Sequence, residues 1–167
     1  SLSFVDGTSD VTLDSTYDEY MFVMTNIGPA TDTTEFTFQC SIDSGSNYNV
    51  TVTTTAFNAY HQEDDGETSL GYKTGWDQAQ GTAYQQIMQD MGNGSDESGN
   101  GILHLFSPAS TTYVKHFYSR ASHYHKDNAA VDDFFAGYFN TTSAIDAISF
   151  KMASGNFDGV IQMYGIS

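Results

Sequence analysis

Apolar and polar residues alternate along most of the chain, in short runs broken by turn-forming clusters. Such runs span Val11 to Leu13, Tyr17 to Ile27, Glu35 to Ile42, Tyr48 to Phe57, Ile102 to Phe106, Thr112 to Ser122, Asp133 to Tyr138, Ala144 to Met152 and Phe157 to Gly165. A period of two puts alternate side chains on opposite faces of a strand, so each run predicts a half-buried β-strand. Gly28-Pro29-Ala30, Asp43-Ser44-Gly45-Ser46-Asn47, Ser107-Pro108-Ala109 and Ser154-Gly155-Asn156 lie between them and supply the residues that chain reversals need. The reading is an all-β antiparallel sandwich, jelly-roll-like, of about nine to ten strands in one domain over residues 1–167.

One stretch departs from this alternation. Ala79, Ala83, Ile87 and Met91 recur every fourth residue, which predicts at most one short helix around residues 78–91, with a strand from Tyr84 to Met88 as the alternative. The polar stretch from His61 to Gly75 precedes it, and the Gly- and Asn-rich run from Gly92 to Gly101 follows, expected to be an exposed and mobile loop.

Composition supports the β reading and narrows the partners. The chain has 15 Gly, 2 Pro, 11 Tyr and 12 Phe, and 39% of its residues are hydrophobic, enough for a core without metals or disulfides. The single cysteine, Cys40, falls within a strand pattern and is expected to be an inert core residue. Five Lys and Arg against 21 Asp and Glu leave a net charge of −16. Lys73, Lys115, Arg120, Lys126 and Lys151 cannot build the basic groove that nucleic acid or an anionic membrane requires. The longest apolar block, Tyr20 to Met24, falls far short of the roughly 18 residues of a membrane span. Ser1 to Gly7 has no basic-then-apolar leader pattern, so a secretory leader, had there been one, is expected to have been removed.

Candidate chemistry is sparse. His123 and His125, two residues apart on a strand, share a face and are candidate metal ligands if Asp127 or Asp132 joins them, whereas His104 and His116 read as structural. Asp64 and Asp65 in Glu63-Asp64-Asp65-Gly66-Glu67 are candidate calcium ligands, as are Asp43 with Ser44, Ser46 and Asn47, and Asp96 with Glu97. None of these matches a recognised metal loop, and the expectation is no cofactor. No nucleophile motif, paired-acid strand or phosphate-cradling glycine loop is present, so no catalytic residue is assigned and no enzymatic activity is expected. Tyr60, Tyr72, Trp76 and Tyr84 cluster about the irregular region and are candidate contacts for a glycan or a protein.

Two sets of strings carry a family resemblance. Asp14-Ser15-Thr16-Tyr17-Asp18-Glu19-Tyr20, Asn26-Ile27-Gly28-Pro29-Ala30-Thr31-Asp32 and Phe36-Thr37-Phe38-Gln39 resemble the opening of virion proteins of tailed bacteriophages, marine ones especially. Phe139-Asn140-Thr141-Thr142-Ser143-Ala144-Ile145-Asp146, Ile148-Ser149-Phe150-Lys151, Ser154-Gly155-Asn156-Phe157-Asp158-Gly159 and Met163-Tyr164-Gly165 resemble their closing strands. The resemblance implies a β-sandwich virion component, assembled in the bacterial host cytoplasm and exposed on the particle, and it transfers no catalytic residue. Its implied role is a capsid decoration protein that contacts the capsid and its own copies, as a trimer or other homo-oligomer. The alternatives are a tail fibre or adhesin, or a carbohydrate-binding domain that attaches to the host surface.

Overall fold

The computed structural model describes residues 1–167 and contains no helix. Eleven strands form: β1 (Leu2–Val5), β2 (Glu19–Pro29), β3 (Thr34–Ser41), β4 (Val52–Gln62), β5 (Thr68–Tyr72), β6 (Gln85–Met91), β7 (Gly99–Phe106), β8 (Lys115–His125), β9 (Ala129–Phe139), β10 (Ala147–Met152) and β11 (Phe157–Ile166). With no helix, nothing in the molecule is a helix long and apolar enough to cross a membrane.

Every pairing is antiparallel, and the strands make two layers. The smaller layer runs β1-β10-β3-β6, and the larger runs β11-β2-β7-β8-β9-β4-β5. A single paired position between β6 and β8, Met91 opposite His125, joins them. Aromatic rings fill the space between. Phe38 meets Phe117 edge-on at 5.0 Å and Phe139 at 5.9 Å, and Phe150 lies 5.5 Å from Phe22. Burial follows the strand period: on β8, Phe117, Ser119, Ala121 and His123 are buried while His116, Tyr118, Arg120 and Ser122 are exposed. Cys40 is fully buried, and burial pushes its thiol pKa well up, leaving it inert.

The structure adds strands that alternation does not mark. Leu2–Val5 pairs with β10, whereas Val11 to Leu13 forms no strand. Thr68–Tyr72 pairs with β4 inside the polar stretch. The Gly92 to Gly101 run is only partly a loop, because β7 begins at Gly99, which is buried. A Cβ at Gly99 would meet Met88 Sδ at 2.4 Å and His123 Cβ at 2.9 Å, so the missing side chain is what admits both neighbours.

Residues 78–91 take the strand alternative. Thr54 N–H donates to the Gln78 carbonyl, and Val52 and Gly81 exchange two backbone bonds, so this segment is tied to β4 and cannot close helical bonds on itself. Ala79 and Ala83 are exposed, and the apolar stripe they would begin does not exist. Beyond them β6 carries two irregularities against β3: Ile87 is the extra residue between Met88, opposite Phe36, and Gln86, opposite Thr37. Ile87 and Met88 are therefore both buried, which breaks the period of two.

The layers are unequal. The smaller one ends at β6, while the larger continues through β9, β4 and β5, and its inner face runs out past β6. That overhang creates a cleft on the inner face of the larger sheet.

Candidate functional site

The cleft has a volume of about 210 Å³ and is walled by Tyr60 from β4 and by Lys73 and Trp76 from the β5–β6 connection. Lys73 Nζ lies 5.4 Å from the centre of each of the two aromatic rings. Gln85 Nε2 donates to the Trp76 carbonyl at 3.0 Å, which anchors that connection to β6. The Tyr60 hydroxyl bonds Glu67, and this bond raises the phenol pKa. Asn58 and Gln89 line the floor, with His125 and Asp127 at the margin.

Of the four aromatics singled out from sequence, the fold brings Tyr60 and Trp76 together and sends the others elsewhere. Tyr72 hydrogen-bonds Asp77. Tyr84 lies under Lys151 Nζ, 4.1 Å from the ring centre, beside Tyr48.

Beneath the floor is a buried polar cluster that sequence reasoning missed as a unit. His123 Nε2 donates to the Gln89 carbonyl at 2.6 Å, which leaves Nδ1 as an acceptor 3.5 Å from Asp133 Oδ2. Both side chains are fully buried. Burial pushes the Asp133 carboxyl up to about 7, against the opposing pull of the Gln89 N–H and the Asn58 side chain. Burial also brings His123 down to about 4, against the opposing effect of the Gln89 carbonyl. The pair is thus a neutral acid beside a neutral imidazole near pH 6, with the acid's proton available to Nδ1. Asn58 Oδ1, Gln89 Oε1 and Asp133 Oδ1 are buried and have no hydrogen-bond partner. One signal was present in the sequence: Val131, Asp133 and Phe135 alternate, which places Asp133 on the inward face.

The metal and calcium candidates are spread over the molecule. His123 and His125 do share a face, with ring centres 6.5 Å apart, but no group of three His, Cys, Asp or Glu side chains converges on them or anywhere else. His125 lies between Asp90 at 3.8 Å and Asp127 at 3.7 Å, and its pKa is lowered chiefly by burial. Asp132 faces outward and pairs with Arg120 at 2.7 Å. Asp65 contacts His61 at 2.9 Å, and Asp64 Oδ1 accepts the Gly66 N–H at 2.9 Å, so both serve the β4–β5 turn. Asp43 likewise accepts from Ser41 and Asn47 and closes its own turn.

A second surface is the outer face of the larger sheet. Phe57 stacks on Phe134 at 4.6 Å, and the Arg120 guanidinium lies 5.0 Å above the Phe134 ring. His104 stacks on Tyr118 at 4.6 Å, and Phe106 and Tyr138 complete a rim around Ala136 and Gly137, where the surface dips. Ile102, Tyr118 and Tyr164 remain exposed. Acids on outward strand positions are few: Glu19 pairs with His104, Asp132 pairs with Arg120, and Asp158 lies beyond the irregularity at the end of the β2–β11 ladder. In a chain of net charge −16, this face is nearly neutral.

No protein-family model, curated protein or solved structure matches the chain.

Proposed function

We propose that the chain is a non-enzymatic structural component of a bacteriophage particle, a capsid decoration protein, and that the outer face of its larger sheet packs against a second copy of the chain. The observation that carries the assembly reading is the aromatic, charge-compensated face just described. Elsewhere like-charged copies repel one another, so close approach is cheapest where the carboxylates are already paired. The size is adequate as well. Six inter-strand spacings and the length of β8 and β9 give a face about 30 Å in each direction, comparable with the roughly 800 Å² per partner of a stable interface. The rim of Phe106, Tyr118 and Tyr138 around Ala136 and Gly137 offers both a projection and a depression, as self-complementary contact requires. The phage assignment rests on the opening and closing strings, which here fall on β2, β3, β10 and β11, the end of β9 and the turns between strands, and belong to the scaffold.

Light scattering and native mass spectrometry test the assembly. The wild-type chain is expected to be oligomeric, and Ile102→Glu with Tyr118→Glu is expected to yield a monomer that keeps its β-sheet circular dichroism. A monomeric wild type, or an oligomer indifferent to both charges, removes the proposal.

A further inference from the structure

We propose that the cleft between Tyr60 and Trp76 is a binding site for one ring of a neutral saccharide, stacked on Trp76 and hydrogen-bonded through its hydroxyls to Asn58 and Gln89. The site lies on the inner face of the larger sheet, opposite the assembly face, and stands whether or not that face assembles.

The floor sets the ligand chemistry. Asn58 is 3% exposed, and its Oδ1, like Gln89 Oε1, has no donor within the protein. A buried acceptor without a donor is costly, so these two oxygens call for a ligand rich in O–H or N–H groups. The wall supplies the second requirement, because the aromatic faces of Trp76 and Tyr60 suit the C–H face of a pyranose. Charge excludes the ions. An anion would sit beside Glu67 and Asp127, while a cation would meet the like charge of the Lys73 ammonium, 5.4 Å from the centre of each ring. A neutral polyol meets neither obstacle. Lys73, on the same wall, adds a donor for a ring or hydroxyl oxygen. The volume of about 210 Å³ lies below that of pockets for drug-sized ligands, so it fits a single ring.

Trp76 is the only tryptophan, so fluorescence of the intact chain, excited to the red of tyrosine absorption, reports on this cleft. Glucose, galactose, mannose and N-acetylglucosamine, with glucosamine and glucuronate as charged counterparts, are the probes. At least one neutral sugar is expected to give a saturable change that its charged counterpart does not. Gln89→Met is expected to weaken that binding about tenfold through loss of one acceptor, while leaving the fold as stable or more so, because an unpartnered buried oxygen is gone. Loss of affinity together with loss of stability would point to a structural role for Gln89 and overturn the assignment. No fluorescence response to any probe would overturn it too, as would tighter binding of the charged sugars or unchanged affinity in Gln89→Met.

Discussion

Asp133 and His123 show how burial redistributes a proton. In the unfolded chain at pH 5 the carboxyl is ionised and the imidazole charged, whereas in the fold the carboxyl holds the proton and the imidazole is neutral. Each state carries one proton on the pair, so between about pH 4 and pH 6.5 folding moves a proton without taking one up. The signs are opposite. Asp133 has a raised folded pKa, so its contribution is complete below the ordinary value of 3.8 and is lost as pH rises to about 7. His123 has a lowered one, so its contribution is complete above 6.5 and is lost as pH falls to about 4. Asp133→Asn should unmask the histidine: its unfolding free energy from urea titrations is expected to climb from pH 4 to pH 6.5 at up to about 1.4 kcal/mol per unit, with the wild type much flatter. Parallel profiles would show that the two groups do not titrate this way. Lys115 alternates with Phe117 on β8 and so shares its inward face. The structure buries it fully, its Nζ donating to the carbonyls of Tyr113 and Thr141 at 3.0 and 3.1 Å.

Strand β6 is the element on which local pattern and tertiary pairing disagree. Fourfold spacing from Ala79 to Met91 is a helical signal, and it fails because β4 and β3 claim the backbone from both sides. Asp90 adopts a φ of +49° beside the second irregularity of β6. That conformation is easy for Gly, tolerable for Asp and strained for a β-branched residue. Asp90→Val should therefore unfold about 1–2 kcal/mol more readily than Asp90→Gly in thermal melts, and because both lack the carboxylate, the difference isolates the backbone. Equal melting temperatures would mean that the segment relaxes to negative φ. Most strands were legible because their alternation is local. The overhang that forms the cleft was not, since it depends on which strand ends each sheet, a fact of non-local pairing. Tyr60 and Trp76 were found as residues, but the Asn58 and Gln89 floor could not be found without knowing that β4 and β6 approach each other.

For the whole molecule, net charge is the dominant long-range term. Self-repulsion at −16 is screened as the Debye length falls from about 10 Å at 0.1 M to shorter values, so the melting temperature is expected to rise between low salt and about half-molar NaCl. A flat profile would show that the acids are spaced widely enough not to matter. The all-β class was readable from composition and period, whereas the eleventh strand, the absence of a helix and the strand order were not. That order puts β2 and β11 side by side, with Met24 opposite Ile161. At about 5–20 residues per second, the strand that covers β2 leaves the ribosome roughly 7 to 27 s after β2 does. Until then the backbone edge of β2 stands open, and any neighbouring nascent copy offers the same closing strand. Dense synthesis should consequently favour exchange of β11 between copies, producing intertwined pairs held by the native ladder itself.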